Sequence, residues 1–485
     1  MVCADGEIAA ADVADHLRAL VDKSLVIALP VAGGVRFNLL QTLAQYGRER
    51  LTERGDAERV RDTMAGHYAR LASQSAAAYT GDTQRAWLAA IDTEHDNLRA
   101  ALDWAIATDD ASTALLIAGG AAWPHWLTGM VTEGRRWLDD AFACRGEADE
   151  RTLALALTGR GLLDFVAGAG EHSDDDLATA LEIFERHGDI AGMNLAHSFY
   201  AEQAIVRGDL DEARRRRRVL LDFYGQAPDD PFAAAARTYS LAKLAIIDGD
   251  LDAAERHYRA ATEGFQRLDR PVMNSICLGM VADFDERAGD YPAAITTLEA
   301  AIATNEALLG GFTGSLHARL GWVLLHDGQL ERAEATYQRA LDLARRVRHT
   351  MVIFQAQAGM AAVHRLHGRD AAASEAATES LALYRAGGFP RFRNRVDPAA
   401  DLRAAAALGC DVLAVVAAER GQLERTSILL GQADALRIAT GTDTPTVLQP
   451  DVIHARRVAM AGLGADACRA ANERGAHAAD TLTPS

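Results

Sequence analysis

The stretch Leu241-Ala242-Lys243-Leu244-Ala245-Ile246-Ile247-Asp248-Gly249-Asp250-Leu251-Asp252-Ala253-Ala254-Glu255-Arg256-His257-Tyr258 decides the fold. One helical pattern closes at Gly249 and a second opens within a few residues. The same junction recurs at Gly208, Gly249, Gly289, Gly328, Gly368 and Gly421, in steps of 41, 40, 39, 40 and 53 residues. A fixed period of this size predicts a stack of helical hairpins. Stacked helix pairs present an extended surface, so the expectation is binding rather than chemistry.

The register holds residue by residue, because a helical hairpin needs small side chains where its helices cross and larger ones beside them. Seven residues before each glycine stand Ala201, Ala242, Ala282, Gly321, Ala361 and Ala414, each preceded by a large side chain, Tyr200, Leu241, Val281, Leu320, Met360 and Leu413. Five residues after the glycine come Ala213, Ala254, Ala294, Ala333 and Ala373, with Thr426 the exception. Tyr258-x-x-Ala261, Leu298-x-x-Ala301-Ile302 and Tyr337-x-x-Ala340-Leu341 carry the apolar stripe along the second helix. The pattern resembles the tetratricopeptide repeat, which implies an all-α, right-handed helical superhelix. The usual repeat is about 34 residues, so a 40-residue step implies longer helices or loops.

Composition agrees with a helical chain. Hydrophobic residues make up 49% of the 485, enough for more than one core, while 11 Pro and 6% aromatics favour helices. A net charge of −18 opposes broad attraction to nucleic acid. Cys3, Cys144, Cys277, Cys410 and Cys468 are odd in number and widely spaced, which reads as reduced thiols in a cytoplasmic protein. No apolar run reaches membrane-spanning length, and residues 1–10 carry no signal-sequence pattern.

The N-terminal part is organised differently. Val13, Leu17, Leu20 and Val21 mark one face of a helix over 11–22. Two short strands, Leu25 to Ala28 and Val35 to Leu39, flank Gly33-Gly34, and a second helix is expected from Leu40 to Arg54. Helix, hairpin, helix matches the tail of a winged-helix domain without its opening helices; a small α+β cap on the stack is the alternative. The expected organisation is a truncated winged-helix remnant over 1–58, a helical linker over 59–150, the repeat array over 151–440 and closing helices with a frayed tail over 441–485.

Particular motifs narrow the resemblance. Leu20-Val21-Asp22-Lys23-Ser24-Leu25-Val26 and Arg36-Phe37-Asn38-Leu39-Leu40-Gln41-Thr42-Leu43-Ala44-Gln45-Tyr46-Gly47-Arg48-Glu49-Arg50-Leu51 resemble the winged-helix end of bacterial STAND-class ATPase transcriptional regulators, many of them LuxR-type or cyclase-linked. Trp87-Leu88, Glu94-His95-Asp96-Asn97-Leu98-Arg99-Ala100-Ala101-Leu102-Asp103-Trp104 and Glu133-Gly134-Arg135-Arg136-Trp137-Leu138 resemble the segment that follows it in that class. Ala455-Arg456 to Glu473-Arg474-Gly475 resembles its closing helices.

The resemblance implies an ATPase module upstream and repeats that sense an inducer or partner; LuxR-type members also carry a DNA-reading module downstream. A phosphate-binding loop needs a Gly-rich turn and a lysine, and neither Lys23 nor Lys243 sits in one. ATP is therefore expected only in a separate module, and this chain is expected to be a truncated or split member.

No catalytic signature is found. His-Glu-x-x-His and Gly-x-Ser-x-Gly are both absent. Asp174-Asp175-Asp176 reads as charge complementing a helix start rather than a metal site. Five consecutive arginines, Arg214 to Arg218, cannot share one helix face, so stems packed along the surface with heads paired to Asp211 or Glu212 are expected, with binding of an anionic partner as the alternative. The insertion Gly387 to Arg395 alternates Arg with aromatics and reads as a loop over a helix end, with binding of acidic or nucleotide ligands as the alternative. The remnant's first helix carries Asp12, Asp15 and Asp22, which phosphates would repel, so a relay role without DNA contact is expected.

A ligand site follows from repeat geometry. In a tetratricopeptide superhelix the first helix of each pair lines the concave wall, and the residues one past the small position are Glu202, Lys243, Asp283, Trp322, Ala362 and Val415. The first four form a polar strip with one aromatic anchor, suited to a peptide, protein or small-molecule inducer. The chain thus reads as a non-catalytic sensor array of a STAND-type regulator, with a free-standing tetratricopeptide scaffold as the alternative.

Overall fold

The computed structural model describes residues 8–482 apart from 10, 32–33, 75–77, 79–82, 168–172, 228, 307–312, 347–348 and 387–401. At the N-terminal end α1 (Val13–Asp22), β1 (Val26–Val31), β2 (Gly34–Leu39) and α2 (Gln41–Glu53) form a small α/β unit. Next come α3 (Ala57–Ala72), α4 (Gln84–Thr93) and α5 (His95–Ala107). A stack of helix pairs follows: α6 and α7 (Ala111–Thr128, Val131–Phe142), α8 and α9 (Glu150–Ala167, Ser173–His187), α10 and α11 (Ile190–Arg207, Leu210–Gly225), α12 and α13 (Pro231–Asp248, Leu251–Arg267). It continues with α14 and α15 (Pro271–Arg287, Tyr291–Glu306), α16 and α17 (Thr313–His326, Leu330–Arg346), α18 and α19 (Thr350–Leu366, Asp370–Ala386), and α20 and α21 (Leu402–Glu419, Leu423–Thr440). Helices α22 (Gln449–Leu463) and α23 (Ala465–Leu482) end the chain.

The repeat glycines act through their backbone. All six have φ between +69° and +80°, the left-handed conformation that ends a helix at little cost only for glycine. In three repeats the next residue starts the following helix: Asp209, Asp250 and Asp290 accept hydrogen bonds from the amides of Glu212, Ala253 and Ala293 at 3.0, 2.9 and 3.1 Å. Stop and start thus occupy consecutive residues, which sets a tight hairpin.

The crossing positions are as small as the register requires. Ala201, Ala242, Ala282, Ala361 and Ala414 are at most 1% exposed, and Ala213, Ala254, Ala294, Ala333, Ala373 and Thr426 are fully buried. Thr426 is tolerated there because its hydroxyl donates to the Gln422 carbonyl at 3.0 Å. Nine residues after the glycine the second helix turns a side chain towards the first helices, and Arg217, Tyr258, Leu298, Tyr337, Ala377 and Leu430 are all buried there. The Tyr337 ring fits because two glycines face it: a Cβ on Gly321 would lie 2.7 Å from the ring, and one on Gly359 only 2.0 Å.

The stacking extends N-terminal of residue 151. A Cβ on Gly119 of α6 would lie 2.7 Å from Ala156 Cα of α8, and one on Gly120 would lie 2.3 Å from the Ala72 carbonyl oxygen of α3. Beside this contact, Trp137 stacks on His95 (5.3 Å) and meets His125 edge-on (4.6 Å), while Arg99 pairs with Glu133. The motif Glu94 to Trp104 therefore builds a junction. Glu94 accepts from Arg36 of β2 at 3.1 Å and from Tyr68 of α3 at 2.9 Å, and Asn97 also donates to it. Burial opposes ionisation of Glu94, yet the bonds from Asn97 and Tyr68 and the Arg36 charge hold it below its ordinary range.

The N-terminal elements fall within a few residues of the expected ones, and β1 pairs antiparallel with β2, Val26 opposite Leu39 and Pro30 opposite Val35. The expected frayed tail is corrected: α23 continues to Leu482. It lies backbone-close on α21, where a Cβ on Gly431 would meet the Asn472 carbonyl oxygen at 2.1 Å and one on Gly475 the Ile428 carbonyl oxygen at 2.0 Å. Arg365 ties the same end together, pairing with Asp370, Glu419 and Asp451 at 2.6, 2.7 and 2.9 Å. The insertion Gly387 to Arg395 lies outside the described residues.

Two outcomes follow for stability. Gly359→Ala forces a methyl group into the Tyr337 ring and should cost about 2 kcal/mol in urea unfolding, part of it recovered when Tyr337→Leu is added; Gly249→Ala, with open space around it but φ of +80°, should cost about 1 kcal/mol. Burial, joined by the positive charge of His95 and Arg99, pushes the His125 imidazole down to about 3 from the ordinary 6.5. Between these values the unfolded chain binds more protons than the folded one. Stability is therefore lost as pH falls below about 6.5, by up to about 1.4 kcal/mol per pH unit, and His125→Asn should flatten that slope in melts followed by circular dichroism.

Candidate functional site

Helices α10, α12, α14, α16, α18 and α20 are the first members of their pairs, and neighbours among them are bridged by polar side chains. Glu202 of α10 accepts from the Lys243 ammonium of α12 at 3.1 Å. Asp283 of α14 pairs with Arg319 of α16, whose guanidinium also donates to the Gly279 carbonyl at 2.7 Å. The Trp322 indole N–H of α16 donates to Glu286 of α14 at 2.8 Å. All four expected site residues thus lie on this wall, but in two separate centres. Ala362 and Val415, the remaining positions of the strip, are buried.

The first centre joins Glu202, Lys243 and Arg217. Arg217 reaches in from α11 to pair with Glu202, and the Tyr239 hydroxyl lies 3.5 Å from the same carboxylate. Burial opposes the charged form of Glu202, and the Lys243 and Arg217 charges overcome it, holding its carboxyl below the ordinary range. Lys243 is held above its ordinary range in turn, because attraction to Glu202 outweighs its own burial.

The second centre is a cleft lined by Ala318, Arg319, Trp322, Tyr337, Gln355, Ala404 and Ala405, enclosing about 360 Å³ with its solvent-open mouth. Its floor is the Tyr337 ring that the two glycines admit. The Tyr337 hydroxyl is buried without a hydrogen-bond partner among the described residues. The indole wall and the phenol make this shallow cleft the candidate recognition site. Asp283, only 5% exposed, is committed to Arg319 and serves the wall from within.

Sequence reasoning missed Tyr239, Arg319 and Gln355, and took Arg217 only as one of the arginine run. Arg217 had a usable signal, since it shares the ninth position after the glycine with Tyr258 and Tyr337. The rest of the arginine run behaves as surface charge: Arg214 pairs with Asp211 and Asp248, each at 2.8 Å, and Arg215 and Arg216 share Glu212. Asp176 is bound by Arg160 at 2.6 and 2.7 Å. Among the described residues no cluster of three metal-ligating side chains occurs and no helix is long and apolar enough to cross a membrane. Burial pushes the Cys410 thiol up to about 12 and the Cys277 thiol higher, which suppresses thiolate chemistry at both.

Comparison with known proteins agrees with this architecture. Residues 275–346 match the tetratricopeptide repeat model. Proteins of Mycobacterium bovis and Mycobacterium tuberculosis named as candidate HTH-type transcriptional regulators are 33% identical over 185 residues, covering 35% of this chain and 21% of theirs. The chain thus spans about a fifth of the length of those relatives. Among solved structures, a Rap protein complexed with competence and sporulation factor superposes with a TM-score of 0.50 and 14% identity, over 79% of this chain and 99% of that one. A STAND protein with a tetratricopeptide repeat sensor from Pyrococcus horikoshii gives 0.45 and 13%, over 91% and 60%. The chain is an all-α array of tetratricopeptide type with a small α/β segment at its N-terminal end.

The two members of the strip's second half, Asp283 and Trp322, should separate experimentally. Asp283→Asn leaves Arg319 inside the wall without its carboxylate and should lower the unfolding free energy by about 3 kcal/mol. Trp322→Phe loses one hydrogen bond to a charged group and should cost about 1 kcal/mol or slightly more. Equal losses in urea titrations would refute the assignment of Asp283 to the framework.

Proposed function

We propose that this chain is the sensor array of a STAND-type transcriptional regulator, and that the wall of first helices is where it takes a peptide or protein partner or a small inducer. The observation that carries the reading is the Trp322 cleft, an aromatic-lined recess with a buried hydroxyl on the wall of first helices. The relatives' naming as transcriptional regulators and the STAND-like motifs around Arg36 and Glu94 support the regulatory half. No step of this function is catalytic.

The mechanism is a population shift. A ligand that bridges neighbouring first helices favours one curvature of the stack over another, by the difference in its affinity for the two. The junction at Glu94, which holds β2, α3 and α5 together, passes that change to the N-terminal unit. That unit carries a face suited to a further contact: Val35, Phe37 and Leu39 of β2 are 44–55% exposed, opposite Pro30, Ala28 and Val26. The proposed partner of this face is an ATPase module of the same regulator.

A photo-crosslinking amino acid at position 322 should capture the partner, whereas one at the exposed Gln338 on α17 should not. The captured partner, added back to the full chain, should change hydrogen exchange around Arg36 and Glu94. Capture at both positions alike would refute the wall as the site. Capture at 322 with unchanged exchange at the junction would leave a scaffold and remove the regulatory role.

A further inference from the structure

One ion cluster has more positive charge than its own fold requires. Arg217 and Lys243 both pair with Glu202, so two cations share one carboxylate and the group carries +1. Among the described residues no second acid pairs with either cation. A structural bridge between α10 and α12 is complete with Glu202 and Lys243 alone. Arg217 is the surplus member, placed where the other repeats bury Tyr, Leu or Ala.

Its surroundings are arranged around donors. The Arg217 side chain is 2% exposed, and its Nε is buried without an acceptor among the described residues. The Tyr258 hydroxyl, from the ninth position of the next repeat, is buried and likewise without a partner. Tyr239 lies beneath both cations, 5.4 Å from the Arg217 guanidinium and 5.7 Å from the Lys243 ammonium, which holds them in place through the ring's negative face. Lys243 keeps 15% of its side chain exposed and Glu202 28%, so the cluster reaches the surface of the wall. Guanidinium, ammonium and phenol are all hydrogen-bond donors, and an oxyanion is the group that accepts from all three.

We propose that the corner formed by Arg217, Lys243 and Tyr258 is an oxyanion site that receives a carboxylate or phosphate group of the ligand bound on this wall. Glu202 holds the two cations together and competes with the incoming anion for them. The inference rests on the reading of the first-helix wall as the binding surface and assigns the charge of what binds there. The chain's net charge of −18 works against anions in general. Selection therefore comes from this local excess, and binding weakens as salt screens it.

The test uses the full chain with inorganic phosphate and with acetate, each titrated against chloride at constant ionic strength and followed by thermal shift and, for phosphate, by 31P line broadening. Wild type should be stabilised by at least one of them. Lys243→Met brings the cluster to neutral while leaving the Arg217 and Glu202 pair intact, and it should abolish the response. Glu202→Gln removes the competitor and should tighten anion binding about tenfold, the fold-change of one charge-assisted hydrogen bond.

Preference for phosphate over acetate assigns a phosphoryl ligand, preference for acetate assigns a carboxylate, and comparable responses support an oxyanion site that takes either. No response in wild type, or the same response in wild type and Lys243→Met, overturns the site. That failure together with intact crosslinking at position 322 would remove the oxyanion site alone and leave the wall as the binding surface. Should Glu202→Gln not fold, the comparison of wild type with Lys243→Met decides by itself.

Discussion

The structure depends on the distance between the two helices of each pair. Alanines with no exposed surface at Ala201, Ala213, Ala242 and Ala254 let the backbones approach until neither helix has a face left for solvent on that side. Close approach maximises the many weak contacts in the hydrophobic core that runs along the stack. It also fixes where the chain can turn. Only a glycine at positive φ ends the first helix abruptly enough for the second to return along it, and an aspartate placed immediately after supplies the next helix with its first hydrogen bond.

Close helices leave little room for polar groups, which explains how the wall acquires them. A side chain at the ninth position after the glycine is aimed between two first helices, and what it carries decides what that wall displays. Leu298 and Ala377 simply fill space there. Tyr337 passes between two glycines and brings a hydroxyl to the Trp322 cleft, while Arg217 brings a charge that draws Glu202 and Lys243 together. Repetition of the backbone with variation at one buried register is thus enough to give each stretch of the wall its own chemistry.

The same geometry accounts for what was legible in the sequence. The glycine period and the small crossing residues are local and repeated, so the hairpins could be placed to within a residue or two. The positions of Glu202, Lys243, Asp283 and Trp322 on the wall of first helices also followed from register. Their partners did not, since Arg319 meets Asp283 across a helix-to-helix contact that no period encodes. The tail was misjudged for a related reason: Ala478-Ala479-Asp480 looks featureless in isolation, and it is the close docking on α21, at Gly475 against the Ile428 carbonyl and at Gly431 against the Asn472 carbonyl, that keeps α23 in place.

Buried charge separates framework from function on this wall. Removing a buried ion's partner costs more than the pair contributes, so a balanced pair such as Asp283 with Arg319 is held by the penalty of breaking it. An unbalanced cluster is different: a second buried cation raises the energy of the empty state, and only another anion relieves it. Evolution can retain such a cost where a ligand repays it, because the stabilisation then appears only on binding. The excess at Arg217 and Lys243 has that form, and the charge-balanced pair of Asp283 with Arg319 does not.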